Sequence, residues 1–211
     1  MSTLKTTSIT HGSNSGTANL ALGSDGTITF AKKPALGRQV LEQFYTLCDG
    51  TAITTDKGTV TTTDVTAVQA VTSTYADITG SSLSYTPPTG TTQVIYEFQF
   101  QLGSVDAAGI GHFNFYIDSD EVTQARFGTA GTGSSYPEGL VHFKWGINIG
   151  GSADTTAGRL ATWSSGKTLK MQVREWGSND EIKLHETRVW DGGGSSQYRT
   201  PCVGITAIGA A

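Results

Sequence analysis

Four histidines are candidates for catalysis or metal binding, because imidazole is a common metal ligand and general base. They are His11, His112, His142 and His185, and none falls in an H-E-x-x-H, H-x-H or C-x-x-C spacing. Three of them, His112, His142 and His185, lie on predicted strands and would bind a metal if they met at an oligomer axis. The missing ligand spacing favours ordinary outward-facing or hydrogen-bonded histidines, so we expect no metal and no cofactor.

Acidic residues cluster in the segment IDSDEV, which contains Asp118, Asp120 and Glu121. Their carboxylate oxygens could hold calcium, but the segment lacks the glycine and the distal glutamate of an EF-hand loop. Acidic and small residues are also what tight turns use, so a solvated hairpin turn is the interpretation we favour.

The sequence offers no sharp candidate for an active site. A glycosidase needs two paired acids, and Glu97, Glu175 and Glu186 on predicted strands are of a kind found in any β protein. No serine lies in a G-x-S-x-G elbow, and neither Cys48 nor Cys202 has a histidine near it in the sequence. We therefore expect that the protein is not an enzyme.

Aromatic residues near glycine-rich segments carry more information. A ring on an exposed loop can stack on a sugar face while neighbouring polar groups bind hydroxyls, and loops on a rigid scaffold are where recognition usually occurs. On this basis the predicted receptor-binding residues are Tyr136, Trp163, Trp190, Asp191 and Tyr198. The alternative is that such rings cover the core. We favour this alternative for Trp145 and Trp176, and both interpretations stay open for Tyr136 and Trp190.

Charge and hydropathy exclude several classes of protein. The net charge is −4 and the longest basic run is Lys32-Lys33, so a nucleic-acid-binding face is not expected. No apolar run approaches the ~20 residues of a membrane helix, and the N-terminus lacks the apolar region of a signal peptide. The protein is then expected to be made inside a cell, where Cys48 and Cys202 are reduced in preference to paired.

The elements that must position these residues are strands. Only 15% of the residues are charged and 27 are glycine, which with abundant Thr and Ser favours an all-β protein with many turns. Alternation is clearest in segments 93–101, 112–117 and 140–149, and further strands are predicted at 59–71, 82–86, 122–127, 160–163, 168–176, 182–190 and 202–208. Segment 39–47 fits a helix face or a strand. The predicted core consists of Val94, Phe98, Phe100, Phe113, Phe115, Val141, Phe143 and Trp145.

These strands predict one antiparallel β-sandwich over residues 38–211, of which the jelly roll is a common form. Residues 1–37 read as a separate segment, with a hairpin of runs 18–22 and 27–30 around a Ser-Asp-Gly turn. A lone hairpin is not stable in water, so it must pack on the main domain, on a copy of itself or on another protein. Gln93, Glu97, Gln99 and Gln101 form a polar, sparsely charged strand face, which favours an oligomer.

Three segments resemble virion fibre-type proteins of tailed bacteriophages. The first is the opening MSTLKTTSITHGSNSGTANLALGSDGTITF, in particular its hairpin motif NLALGSDGTITF; the others are TSTYADITGSSLSYTPPTGTTQVIYEF and EIKLHETRVWDG with VGITAIG. The likeness touches most of the chain. Similar segments recur in tail fibres, head fibres and capsid decoration proteins.

This resemblance implies a homotrimeric jelly-roll-like sandwich that is located in the virion and assembled in the host cytoplasm. The N-terminal segment would attach it to other virion proteins through Leu4, Leu20, Leu22, Ile28 and Phe30. The function implied is that of a short tail fibre that contacts a host surface glycan. The alternative is a head fibre or decoration protein that stabilises the particle without recognising a receptor.

Overall fold

The computed structural model describes antiparallel β-structure, one short 3-10 helix and the loops that join them, with no α-helix in these ranges. The described residues are 8–9, 20–22, 24, 28–30, 38–104, 109–129, 139–177, 182–189 and 195–209. The chain divides into two units, one of Met1–Gln39 with Ala210–Ala211 and one of Val40–Gly209. The prediction of an all-β, antiparallel fold is confirmed.

The first unit contains a three-stranded sheet of β1 (Ser8–Ile9), β2 (Leu20–Leu22) and β3 (Ile28–Phe30) in that order. The predicted hairpin is present, with β2 and β3 paired within the runs 18–22 and 27–30. Among the predicted attachment residues, Leu20 lies opposite Phe30 and Leu22 opposite Ile28 in the β2–β3 register. Leu4 lies outside the described residues.

The second unit contains sixteen strands within the described ranges. They are β4 (Gln39–Leu47), β5 (Ala52–Thr55), β6 (Gly58–Thr61), β7 (Gln69–Ala70), β8 (Ala76–Asp77), β9 (Leu83–Tyr85), β10 (Thr91–Ser104), β11 (Gly111–Ile117), β12 (Asp120–Glu121), β13 (Phe127–Thr129), β14 (Gly139–Asn148), β15 (Lys167–Glu175), β16 (Ile182–Leu184), β17 (Glu186–Val189), β18 (Ser195–Tyr198) and β19 (Cys202–Gly209).

Sheet I is built on the long strand β10. One edge of β10 pairs with β14, and the other pairs first with β19 and then, beyond it, with the short β16. Strand β4 lies outside β19, and β7 lies outside β16. Small two-stranded ribbons, β5–β6 and β17–β18, complete the unit.

Sheet II is built on β11 and β15, which pair along their whole length. The short strands β12 and β13 follow one another along the outer edge of β11, and β8 and β9 do the same along β15. The sheet is therefore up to four strands wide, with β11 and β15 at its centre.

The two sheets face each other across an aromatic core. The Tyr96 ring stacks on Phe115 with centroids 5.2 Å apart, and Phe100 packs on Phe113 at 5.8 Å, which joins β10 to β11. The alternation in β10 places Val94, Tyr96, Phe98 and Phe100 inside. Six members of the predicted core are buried, while Val141 and Trp145 are half-buried and pack against it. This arrangement is that of a β-sandwich.

Four local predictions need correction or refinement. Segment 122–127 is not a strand but holds the 3-10 helix Thr123–Ala125, and 160–163 makes only isolated bridge contacts. Segment 182–190 is split by His185, whose φ of 63° cannot continue a strand. The ambiguous segment 39–47 is a strand because β19 pairs with it and fixes an extended backbone. Both cysteines are free thiols.

Candidate binding surfaces

The outer face of sheet II carries an exposed cluster of three ring-bearing side chains, Tyr75, His112 and Trp176, together with Arg174. We call this cluster the Trp176 surface. The side chain of Trp176 is 60% exposed. The Arg174 guanidinium carbon lies 5.3 Å from the Tyr75 ring centroid and 5.8 Å from that of Trp176. The His112 ring stacks on Trp176 with centroids 5.5 Å apart. Cation–π contact therefore holds a charged guanidinium between two aromatic side chains.

Our expectation that Trp176 covers the core is wrong, and strand parity explains why. In β15 the side chains of Leu169, Met171 and Val173 point into the core. Trp176 follows at an even position, so it shares the outer face with Arg174. The even-numbered residues Lys170, Gln172 and Arg174 are the signal in the sequence that could have placed it correctly.

Most cations near this face are engaged by carboxylates. Lys170 bridges to Asp77 at 2.9 Å, Lys167 to Asp118 at 2.7 Å, and Arg126 to Glu121 at 2.6 Å. Arg174 forms no ion pair within the described part of the chain; one of its nitrogens donates to the carbonyl oxygen of Glu175 at 3.3 Å. Its charge is thus the one left uncompensated among the cations named here.

The acidic turn at Asp118 and Ser119 is the predicted hairpin turn, since Ile117 and Asp120 pair across it. Burial by itself raises the pKa of Asp118, but the hydrogen bonds from Lys167 and the Thr168 N–H outweigh it and lower the pKa. The hydrogen bond from Arg126 lowers the pKa of Glu121. Both carboxylates therefore serve local ion pairs that fix the turn.

A hollow of about 330 Å³ lies beside Trp163, one of the predicted receptor-binding residues. The hollow is lined mainly by hydroxyl-bearing and small residues, and Lys57 is the cation in its wall. The other lining residues are Thr86, Pro87, Pro88, Thr89, Gly90, Thr91, Ile149, Ala161, Thr162 and Ser164. Trp163 is not the exposed loop ring that we expected. It is 7% exposed, and its indole N–H donates to the Tyr85 carbonyl oxygen at 3.2 Å. It forms the floor of the hollow and part of the core.

Tyr198 lies far from this hollow. It is 43% exposed, ends β18, and makes a 3.1 Å hydroxyl contact with Thr200. Its neighbour Arg199 donates to Gln101 near one end of β10, whereas Thr91 at the other end lines the hollow. Ten residues of extended strand separate the two by about 33 Å. The structure therefore does not bring Trp163 and Tyr198 together; Tyr136, Trp190 and Asp191 lie outside the described residues.

The outer face of sheet I has the sparse charge predicted from Gln93, Glu97 and Gln99, whereas Gln101, the fourth residue of that prediction, is buried and accepts a hydrogen bond from Arg199 at 3.3 Å. Glu97 is bridged by Lys144 at 3.0 Å, and His142 lies 3.5 Å from it. Large apolar side chains flank this centre and are about half exposed: Tyr45 at 50%, Leu47 at 48% and Leu140 at 49%. The register of β10 with β14 and β19 places Leu140 beside Gln101 and Cys202 beside Gln99. We call this set the sheet I face.

An open groove of about 450 Å³ borders the sheet I face at the edge of the sandwich. Its floor is apolar, with Phe127 and Phe143 stacked at 5.9 Å. Strand β14 forms one wall and pairs only with β10 among the described strands. Before Asn148, which accepts from the Leu160 N–H, this edge of β14 has no strand partner in the described ranges, and such an edge beside apolar side chains suits contact with an extended segment of another chain.

The histidines and strand glutamates are dispersed. His112 belongs to the Trp176 surface, His142 to the sheet I face, and His185 is buried. Within the described ranges no group of three or more His, Cys, Asp or Glu residues is arranged to hold a metal ion. Glu175 and Glu186 are buried, whereas Glu97 lies on the outer face of sheet I.

No protein-family model matches this chain, and no curated protein matches it. Across the described part of the chain, no helix has the length and apolar character needed to cross a membrane.

Proposed function

We propose that this chain is a structural protein of a tailed-bacteriophage virion, a short tail fibre whose trimeric jelly-roll-like sandwich contacts a glycan on the host surface. The observation that carries the proposal is the Trp176 surface. Trp176 is 60% exposed and is held beside an arginine on a paired strand. Exposing a large apolar ring to water is unfavourable, and exposed tryptophan and arginine side chains are typical of recognition sites.

The path of the chain supports a jelly roll. Strands β9, β10, β11, β14, β15 and β16 alternate between sheet II and sheet I in sequence order, and β4 lies beside β19. Repeated crossing from one sheet to the other is the connectivity of Greek-key sandwiches.

The sheet I face supports association of copies. Tyr45, Leu47 and Leu140 expose about half of their surface there. Full burial of a large apolar side chain contributes roughly 1.5–3 kcal/mol, so burying the exposed half of each of these side chains contributes about half of that and favours association. The trimer number comes from the resemblance to fibre proteins.

Light scattering on the purified chain tests the oligomer. A trimer has three times the monomer mass of 22.2 kDa. Leu47→Glu should shift the mass toward monomer because it charges the sheet I face. Val40→Glu is the matched control, since Val40 is exposed on the same strand but points to the other side. Equal masses for all three proteins at the monomer value would refute the trimer.

Labelling of particles tests the location. An antibody against the chain should mark the tails of the virions that contain it, and the purified chain should compete with those virions for adsorption to host cells. Unlabelled particles would refute the virion assignment altogether.

A decoration or head-fibre protein is the second candidate, favoured by the separate three-stranded unit at β1–β3. Under this alternative, label appears on capsids, deletion of residues 1–37 removes the protein from particles, and the purified chain does not compete for adsorption.

A further inference from the structure

We infer that the Trp176 surface binds a saccharide that carries a carboxylate, such as a uronic acid residue, with Arg174 holding the carboxylate and Trp176 the sugar ring. This inference rests on the proposed function, which requires a glycan receptor, and it specifies where that glycan binds and what chemical group it must carry.

Arg174 is prepared for an anion before one arrives. Its guanidinium carbon lies within 6 Å of both the Tyr75 and the Trp176 ring centroids, at 5.3 and 5.8 Å. Contact with two rings limits the rotamers of a long side chain, so less entropy is lost when a ligand binds. Only one of its nitrogens has a described hydrogen bond, to the carbonyl oxygen of Glu175. N–H donors of the Arg174 guanidinium therefore remain for a bidentate contact with a carboxylate.

The positive charge of Arg174 favours an anionic ligand at the Trp176 surface. Lys170, Lys167 and Arg126 are each satisfied by a carboxylate of the protein. Arg174 has no acidic partner among the described residues, so a carboxylate on the ligand supplies what the fold does not. Binding should weaken with added salt, because the site is open to solvent.

Trp176 supplies the stacking surface. Trp176 stays 60% exposed even with the Arg174 guanidinium and the His112 ring against it, so a large part of the indole is accessible to a ligand. The stacked His112 ring, 5.5 Å away, supports the indole and hinders its rotation. The C–H face of a sugar packs on such a ring, and Tyr75, 37% exposed, extends the aromatic area beside it.

A single guanidinium also argues against a nucleic acid. Phosphate backbones are bound by several clustered cations, whereas Arg174 is the one cation without a carboxylate partner among the described cations named above, on a chain of net charge −4. One carboxylate beside one sugar ring matches one arginine beside one indole.

The test is binding of the full chain to an array that pairs each acidic oligosaccharide, containing uronic or sialic acids, with its neutral methyl ester. The expected result is binding to acidic members at least tenfold tighter than to their esters. Arg174→Gln should weaken the acidic binding about tenfold or more, Arg174→Lys should restore part of it, and Trp176→Ala should weaken the binding to both forms. The matched control is Lys144→Gln, which removes one cation from the sheet I face.

The outcomes separate this inference from the proposed function. Equal binding of acids and esters, or no binding to any acidic member, overturns the inference. Acidic binding that Arg174→Gln leaves unchanged places the glycan elsewhere and also overturns it, while adsorption by the purified chain would still support a fibre. Binding of single-stranded DNA in preference to the acidic sugars would replace the saccharide with a nucleic acid. Because both side chains point outward, the melting temperatures of the variants should match that of the unmodified protein.

Discussion

The Nε2 atom of His185 lies 3.0 Å from the carbonyl oxygen of Thr79, in the buried gap where β16 ends and β17 begins. A carbonyl oxygen only accepts hydrogen bonds, so Nε2 must carry the proton and Nδ1 must be bare. Nδ1 is itself buried with no hydrogen-bond partner among the described residues. A second proton on this ring would therefore be a buried charge without a partner, and burial lowers the pKa of His185 to about 4.

This histidine should make the protein sensitive to mild acid. The unfolded chain takes up a proton at His185 near its ordinary pKa of 6.5, whereas the folded chain does so only near pH 4. The contribution to stability is complete above pH 6.5 and is lost as the pH falls to about 4, amounting to about 3 kcal/mol. Urea unfolding at pH 7.5, 5.5 and 4.5 measures it.

His185→Asn is the matched variant, because asparagine tolerates the φ of 63° at this position. It should be less stable than the unmodified protein at pH 7.5 but lose less stability between pH 6.5 and 4. The same slope in both proteins would assign the acid sensitivity to other groups. Asp118 and Glu121 add their own loss only as the pH falls through their unfolded pKa values of 3.8 and 4.5, because their pKa values are lowered in the folded protein, so the slope above about pH 5.5 belongs to His185.

Removing the Ser81 hydroxyl should destabilise the fold by about 2 kcal/mol. Ser81 is buried, and its Oγ accepts from the Met171 N–H at 3.0 Å and donates to the Ile78 carbonyl oxygen at 2.7 Å. Ser81→Ala leaves both backbone groups buried without this partner. Urea unfolding should show the loss, and Ser84→Ala, on the exposed side of β9, should change stability by less than about 0.5 kcal/mol. Similar losses in both variants would contradict the role of Ser81.

A side chain at Gly204 should destabilise sheet I. A Cβ there would overlap the Tyr45 ring and lie 3.1 Å from the Phe44 carbonyl oxygen, which cannot move without breaking the sheet. Gly204→Ala should cost about 1–3 kcal/mol in thermal or urea unfolding. Gly146→Ala is the control on the same face, because its Cβ would meet only the flexible end of Gln93. An equal effect at both glycines would argue against tight packing of Tyr45.

The two thiols should differ in reactivity. Burial raises the pKa of Cys48 to about 12, and its thiol donates to the Gly80 carbonyl oxygen at 3.3 Å, so maleimide should not modify it in the folded protein. Cys202 is half-buried on the sheet I face and should react first. Mass spectrometry of peptides distinguishes the two sites.

The reaction at Cys202 also reports on association. Its rate should fall as the protein concentration rises, because copies that meet through the sheet I face cover it. Rapid labelling of Cys48 in native buffer would show that its site opens readily, and a Cys202 rate independent of concentration would argue against that face as the interface.

Where a strand is buried on one face and paired on both edges, its sequence was sufficient to predict it. Val94, Phe98 and Phe100 in β10 are such a case, because alternation there records burial directly. The same alternation places Lys170, Gln172 and Arg174 on the outer face of sheet II and predicts that Trp176 points outward with them. The sequence could therefore have predicted the exposed position of Trp176 but not the contact of Arg174 with Tyr75, since Arg174 lies on β15 and Tyr75 precedes β8, about 100 residues earlier in the chain.

Other features depend on contacts that no local pattern encodes. Segment 122–127 has strand-like composition, yet the short β12 and β13 on either side leave room for only a helical turn. Trp163 lies next to Ser164 and Gly166, a context typical of exposed loops, and is buried because its N–H reaches the Tyr85 carbonyl oxygen 78 residues away. Neighbouring strands decided the first case and a tertiary hydrogen bond the second.

The place of β19 between β4 and β10 has a consequence for how the protein is made. Gln43 on β4 and Thr206 on β19 hydrogen bond although they are 163 residues apart in the chain. During translation, β4 and one edge of β10 must therefore wait, exposed and without their neighbour, until the ribosome has delivered β19. Sheet I therefore closes late in synthesis, and a polypeptide truncated before residue 202 would leave β4 and that edge of β10 unpaired and prone to aggregate.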